Sequence, residues 1–115
     1  MPKDPLKVNF FKTPGGAEPV REWLKDFSQA DKKTIGADIR TAQFGWPLGM
    51  PLIRKMAKDL WEIRITVSNG IARIFLTIDS SGNILLLHGF VKKSQETPKH
   101  ELNLAKERLK QSRSS

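Results

Sequence analysis

Cysteine is absent from the 115-residue chain, which excludes disulfides and thiolate metal sites. Long apolar runs are missing too. The longest are of the size of Ile84 to Leu87, far short of a membrane span. Met1-Pro2-Lys3-Asp4-Pro5 carries no apolar stretch of the kind a signal peptide needs, so a cytoplasmic location without membrane contact is expected. Two histidines without matched carboxylate spacing make a poor metal site. Gly15-Gly16 leads into a helical pattern without the Lys-Ser/Thr pair of a phosphate loop, and no nucleophile-elbow motif marks a serine enzyme.

Acidic residues are also scarce. Twelve Asp and Glu stand against twenty Lys and Arg, a formal net charge of +8 with a pI near 10.1. That balance favours a polyanionic partner: nucleic acid, ribosome or an acidic protein. Its distribution is uneven, with eight basic and six acidic side chains in residues 1–53 and twelve and six in residues 54–115. The working surface is therefore expected in the second half. Excess lysine also keeps small proteins soluble, so charge alone supports binding and nothing more specific. The length fits one domain over residues 1–115, with residues 111–115 read as a frayed tail.

Lys7 to Phe11 reads as an opening strand stopped by Thr13-Pro14-Gly15-Gly16. Val20, Trp23, Leu24 and Phe27 then recur at helical spacing. Ser28 and Asp31 resemble a capping arrangement for a second helix with the stripe Ile35, Ile39, Ala42 and Trp46. Trp46-Pro47-Leu48-Gly49-Met50-Pro51 breaks it. Beyond the break the period changes to two: Trp61, Ile63, Ile65 and Val67 alternate with Glu62, Arg64, Thr66 and Ser68. The last element is a helix, with Thr97 as cap, Pro98 in its first position and Leu102, Ala105 and Leu109 as its stripe. The expected fold class is α+β: an antiparallel sheet packed with an N-terminal helical hairpin and a C-terminal helix.

Asn69-Gly70 suggests a type I′ hairpin, which would set Val67 against Ala72, Ile65 against Ile74, Ile63 against Leu76 and Trp61 against Ile78. The other side of that ladder would hold Arg64 and Arg73 as diagonal neighbours. A four-residue loop within Asp79-Ser80-Ser81-Gly82-Asn83 would pair Phe75 with His88 and Arg73 with Phe90, adding His88 to a basic face. A one-residue slip would send His88 to the core side.

Lys58-Asp59-Leu60-Trp61-Glu62-Ile63-Arg64, Ala72-Arg73-Ile74-Phe75, Leu86-Leu87-His88-Gly89-Phe90-Val91-Lys92-Lys93 and Thr97-Pro98 with the following helix resemble the phage-derived, HigB-like branch of the RelE/ParE/HigB toxin superfamily. The order and spacing match over residues 50–110, with weaker support from Pro19-Val20-Arg21-Glu22-Trp23-Leu24. The resemblance implies a RelE-like fold. It also implies the toxin of a type II toxin–antitoxin system, encoded beside a helix-turn-helix, HigA-like antitoxin. Its activity would be cleavage of mRNA in the ribosomal A site without metal or organic cofactor. Such a site needs no metal in principle, because the 2′-hydroxyl of RNA is an internal nucleophile that must be oriented while protons move and phosphate charge is neutralised.

Arg73 resembles the strand arginine that contacts the scissile phosphate in RNA-cleaving members; a cross-strand ion pair with Glu62, or a solvated sheet position, is the structural alternative. Arg64 would share the phosphate or serve as the structural partner of Glu62. Lys92 and Lys93 fall where matching toxins place basic catalytic or ribosomal-RNA-binding groups, although a lysine pair is often merely solvated. His88 is a proton-shuttle candidate, or a strand histidine satisfied by a neighbour. Arg54, Lys55 and Lys58 are read as backbone contacts to ribosomal RNA, or as a solubilising charge run. Phe75 and Phe90 would offer a stacking platform if they lie on the basic face, unless the C-terminal helix covers them.

The chain departs from several RNA-cleaving relatives in having no tyrosine near its C-terminus, or anywhere, which leaves His88, Lys92 and Lys93 as the substitutes for acid and base. The alternative functions are a ParE-like toxin that poisons DNA gyrase and an RNA-binding relative without activity.

Overall fold

Three β-hairpins' worth of alternating residues in the second half build most of a single sheet. In the computed structural model, which describes residues 5–46, 53–92 and 96–114, the elements run β1 (Val8–Phe10), α1 (Pro19–Lys25), α2 (Gln29–Gly45), β2 (Ile53–Ala57), β3 (Leu60–Val67), β4 (Gly70–Ile78), β5 (Ile84–Lys92) and α3 (Lys99–Ser114). The strand order is β1-β5-β4-β3-β2. Strands β2 to β5 form the expected meander. β1, however, lies parallel to β5, pairing Val8 with Ile84 and Phe10 with Leu86. The expectation of an antiparallel sheet is thereby corrected: the sheet is mixed. The helices α1 and α2 carry the chain across one face from β1 to the far edge. The meander then returns to β1 and ends on a strand running in its direction.

Strand alternation divides the core in two. Ile63, Ile65, Val67, Ala72, Ile74, Leu76, Ile84 and Leu86 face Val20, Ile35, Ile39 and Ala42 of the two N-terminal helices. On the opposite face Leu60, Phe75, Leu87 and Phe90 pack with Ala105 and Leu109 of α3 and with Phe11. The α2 and α3 stripes are those expected. Phe27 lies beyond the short α1 but meets Trp23 edge-on, with ring centroids 4.9 Å apart, and Trp46 meets Trp61 in the same way at 4.9 Å. α3 continues past Gln111 to Ser114, where Arg113 pairs with Asp59 at 3.2 Å. No helix among the described residues is long and apolar enough to cross a membrane.

The β3–β4 hairpin turns one residue earlier than the Asn69-Gly70 signal implies. Val67 pairs with Gly70, Ile65 with Ala72, Ile63 with Ile74 and Trp61 with Leu76. The loop is Ser68-Asn69, and only Gly70, at φ 146°, takes a positive φ there. The register thus moves by two residues, so every side chain keeps its face while its partner changes. A tertiary contact favours this turn: Asp31 Oδ1 accepts from Ser68 N at 3.1 Å and from Ser68 Oγ at 3.0 Å. Asp31 is therefore tied to the hairpin instead of completing a reciprocal capping box, while Ser28 Oγ accepts from Asp31 N at 3.1 Å as a cap should.

Between β4 and β5 the pairs Phe75–His88 and Arg73–Phe90 form as expected. The loop, Asp79 to Asn83, is one residue longer than expected, and a bulge at Leu87 restores the register. The bulge turns both Leu87 and His88 toward α3.

Candidate nucleic-acid interface

The face of the sheet that carries α3 also carries the polar residues of the second half. Cross-strand pairing arranges them in rows. Arg54, Glu62, Phe75 and His88 form one row across β2 to β5; Arg64, Arg73 and Phe90 form the next; Thr66, Ile71 and Lys92 form the third. The helix α3 packs on the β5 side of this face, whereas the first row ends at β2. Arg54 is exposed there, and Arg64 is 21% exposed through its side chain.

Glu62 stands at the centre, fully buried. Its Oε1 accepts from Arg64 Nε at 2.7 Å and its Oε2 accepts from the Thr97 hydroxyl at 2.9 Å. The same hydroxyl accepts from Arg73 Nη1 at 2.9 Å. A chain of hydrogen bonds therefore runs from β4 through the residue leading into α3 to β3. Thr97, read from sequence as a helix cap, is the link in it. Arg73 is itself fully buried, with its guanidinium 6.0 Å from the Phe90 ring centroid. Burial lowers its pKa, Glu62 opposes that shift, and Arg64 and Arg54 add to it. A guanidinium so shifted remains a cation at neutral pH. Burying Arg73 and Glu62 costs desolvation, which the hydrogen bonds through Thr97 and from Arg64 offset.

His88 belongs to a separate cluster beneath α3. It stacks parallel to Phe75, with centroids 6.2 Å apart, and lies 5.9 Å from Phe90. Its Nε2 is 3.0 Å from Glu101 Oε1, and its Nδ1 is 3.3 Å from Arg108 Nη1, which also donates to Leu87 O at 2.9 Å. An arginine can only donate, so Nδ1 is the acceptor, and the proton of the neutral ring sits on Nε2 facing Glu101. Burial lowers the His88 pKa; the bond and charge of Glu101 oppose this, and Arg108 and His100 reinforce it. Burial likewise lowers the pKa of Arg108, whose guanidinium lies 5.8 Å from the Phe11 ring.

Several sequence candidates are thus separated. Arg54 shares the face of Glu62, while Lys55, paired with Trp61, projects to the face of α1 and α2. Lys58 is exposed in the β2–β3 turn next to Asp59, the partner of α3's Arg113. They are not one patch. Phe75 is fully buried and Phe90 is 9% exposed, so the stacking platform expected of them is corrected: they are core beneath α3. Arg73 and Arg64 stand directly opposite each other, not diagonally. Lys92 is half-buried at the end of β5, two strands from Arg64; Lys93 lies outside the described residues.

Glu101 and Arg108 were missed as partners of His88, although they fall seven residues apart, two helical turns, beside the apolar stripe. Among the described residues no group of three or more His, Asp or Glu side chains is placed to hold a metal.

No curated protein matches the chain. The family model of the phage-derived protein Gp49-like matches residues 22–110, a stretch that holds α2, strands β2 to β5 and most of α3. With the greater part of its length covered, the chain belongs to the Gp49-like family of phage-derived proteins, a family of RelE/toxin-like kind.

Proposed function

We propose that this chain is a HigB-like toxin of a type II toxin–antitoxin system, an endoribonuclease that cuts mRNA on the ribosome and is held in check by a helix-turn-helix, HigA-like antitoxin. The observation that carries the reading is the posture of Arg64. Its Nε is bonded to buried Glu62, and its terminal nitrogens make no hydrogen bond to described residues, beside exposed Arg54. A guanidinium held in this way presents its paired terminal N–H groups as a fork suited to phosphate.

In the proposed reaction a ribose 2′-oxygen attacks the adjacent phosphorus, the P–O5′ bond breaks, and a 2′,3′-cyclic phosphate and a 5′-hydroxyl result. The 2′-hydroxyl proton passes to a base, and a proton is delivered to the leaving 5′-oxygen. Arg64 and Arg54 stabilise the charge on the phosphorane oxygens. Lys92 or Lys93 supplies the proton to the leaving group. Arg73, buried behind Arg64, adds its field to the site without touching the RNA.

The test is induced expression with and without Arg64→Ala, followed by growth measurement and mapping of mRNA 5′ ends. Arrested growth with new mRNA ends, both lost in the variant, supports the reading; normal growth with intact mRNA at verified expression refutes it. The enclosure of His88 under α3, together with the absence of tyrosine, favours a second reading, an RNA-binding relative without cleavage. That protein would arrest translation and bind ribosomes while leaving mRNA intact. Broken DNA beside intact mRNA would instead mark a ParE-like poison of gyrase.

A further inference from the structure

We infer that Glu62 is a positioning residue of the RNA-binding face, whose buried carboxylate sets the Arg64 guanidinium for phosphate. The inference rests on the RNA-binding reading above. A carboxylate among arginines opposes anion binding, and burying one is costly unless its partners are well placed. Here both oxygens are committed, Oε1 to Arg64 and Oε2 to Thr97, so the carboxylate cannot rotate without breaking a bond. The Thr97 hydroxyl is fixed in turn by Arg73, which links the start of α3 to the same device.

The asymmetry of burial gives the pair a direction. Glu62 is fully buried and Arg64 is 21% exposed, so the anion is withdrawn and the cation presented. The bond is made through Nε and leaves the terminal pair for the ligand. Arg54, the ladder partner of Glu62 on β2, is exposed on the same face. One buried anion thus ties two guanidiniums from adjacent strands, Arg64 directly and Arg73 through Thr97, at paired positions where their mutual repulsion would otherwise spread them.

Glu62→Gln separates positioning from charge, because the two predict opposite signs. Removing a negative charge from a basic face tightens RNA binding if Glu62 acts only through its charge. If Glu62 orients Arg64, the more positive variant binds about tenfold more weakly, the effect of one charge-assisted contact. The measurement is fluorescence anisotropy of a short labelled single-stranded RNA with the purified full-length chain, alongside the melting temperature of each variant. In an Arg64→Ala background Glu62→Gln should cause no further loss, since the residue it positions is gone.

Arg64→Lys, a substitution on a partly exposed side chain, keeps the inference open to refutation even if Glu62→Gln fails to fold: it keeps the charge and loses both the Nε tether and the fork. Binding at the wild-type level overturns positioning, because neither would then be needed. Glu62→Gln binding as tightly as wild type or more tightly overturns it as well. Wild-type protein that does not bind RNA at any salt defeats the RNA-binding reading itself, and this inference with it.

Discussion

Arg64 and Arg73 stand directly opposite each other on β3 and β4, two like charges on adjacent strands at a pairing position where repulsion is destabilising. What holds them is shared but not equal. Arg64 bonds Glu62 directly, while Arg73 reaches it through Thr97. The consequence is a division of labour, with Arg64 toward solvent and Arg73 inside.

Arg73→Ala is therefore expected to destabilise the protein by about 3 kcal/mol, since it removes a buried cation from a charge network and opens space beside Phe90. Urea denaturation measures this directly. An unfolding midpoint equal to that of wild type would show that Arg73 contributes nothing to the fold, and would return it to the list of groups that act on the RNA alone.

Stability should fall as the pH is lowered from neutrality through 6.5, the ordinary histidine value, because the His88 pKa is depressed in the folded state. The unfolded chain then takes up a proton that the folded chain refuses, which favours unfolding; above 6.5 the ring is neutral in both states and the contribution is complete. His88→Gln keeps a neutral side chain between Glu101 and Arg108 and should flatten the slope in this window. The check is the midpoint of thermal unfolding at a series of pH values, and an unchanged slope would mean that His88 is not the group responsible.

Gly89 sits on β5 where a Cβ would overlap the six-membered ring of Trp23. Gly89→Ala should cost about 1–3 kcal/mol, because the ring must leave its place between α1 and the sheet. Combining it with Trp23→Leu should recover part of the loss, so the double variant is more stable than the two single effects added together predict. Strict additivity in denaturant titrations would show that the ring yields freely.

Salt titration of RNA binding distinguishes the two faces of β2. Arg54→Ala should lower the slope of log affinity against log salt by about one, whereas Lys55→Ala, on the face of α1 and α2, should leave it unchanged. Equal effects from both would mean that binding reads net charge and not this face.

Much of the fold is legible in the chain because it is written in local periods. Ile35, Ile39 and Ala42 at helical spacing, and Ile63, Ile65 and Val67 at every second residue, are buried where those patterns put them. The Phe75–His88 and Arg73–Phe90 pairs were also legible, though the route to them was not: a longer loop and a bulge at Leu87 cancel. The Asn69-Gly70 signal misled because a distant carboxylate, Asp31, binds Ser68 and favours the earlier turn. That shift of two residues preserves every face, so apolar matching alone has no means of detecting it.

Which side chains are basic and which strand face they share was settled by alternation within β3 and β4, a property of neighbouring residues. How deep each lies was not. Burial of Arg73, Phe75 and Phe90 depends on where α3 lands, and α3 is held there by Thr97 on Glu62 and by Glu101 and Arg108 on His88, contacts between residues 13 to 35 positions apart. The parallel pairing of β1 with β5 has the same origin: a three-residue strand carries too little pattern to name its partner, and only the path of α1 and α2 over the sheet brings it beside Ile84. Local sequence determines periodicity because side-chain direction repeats with the backbone; depth and partner belong to the tertiary structure because they are set by segments far apart in the chain.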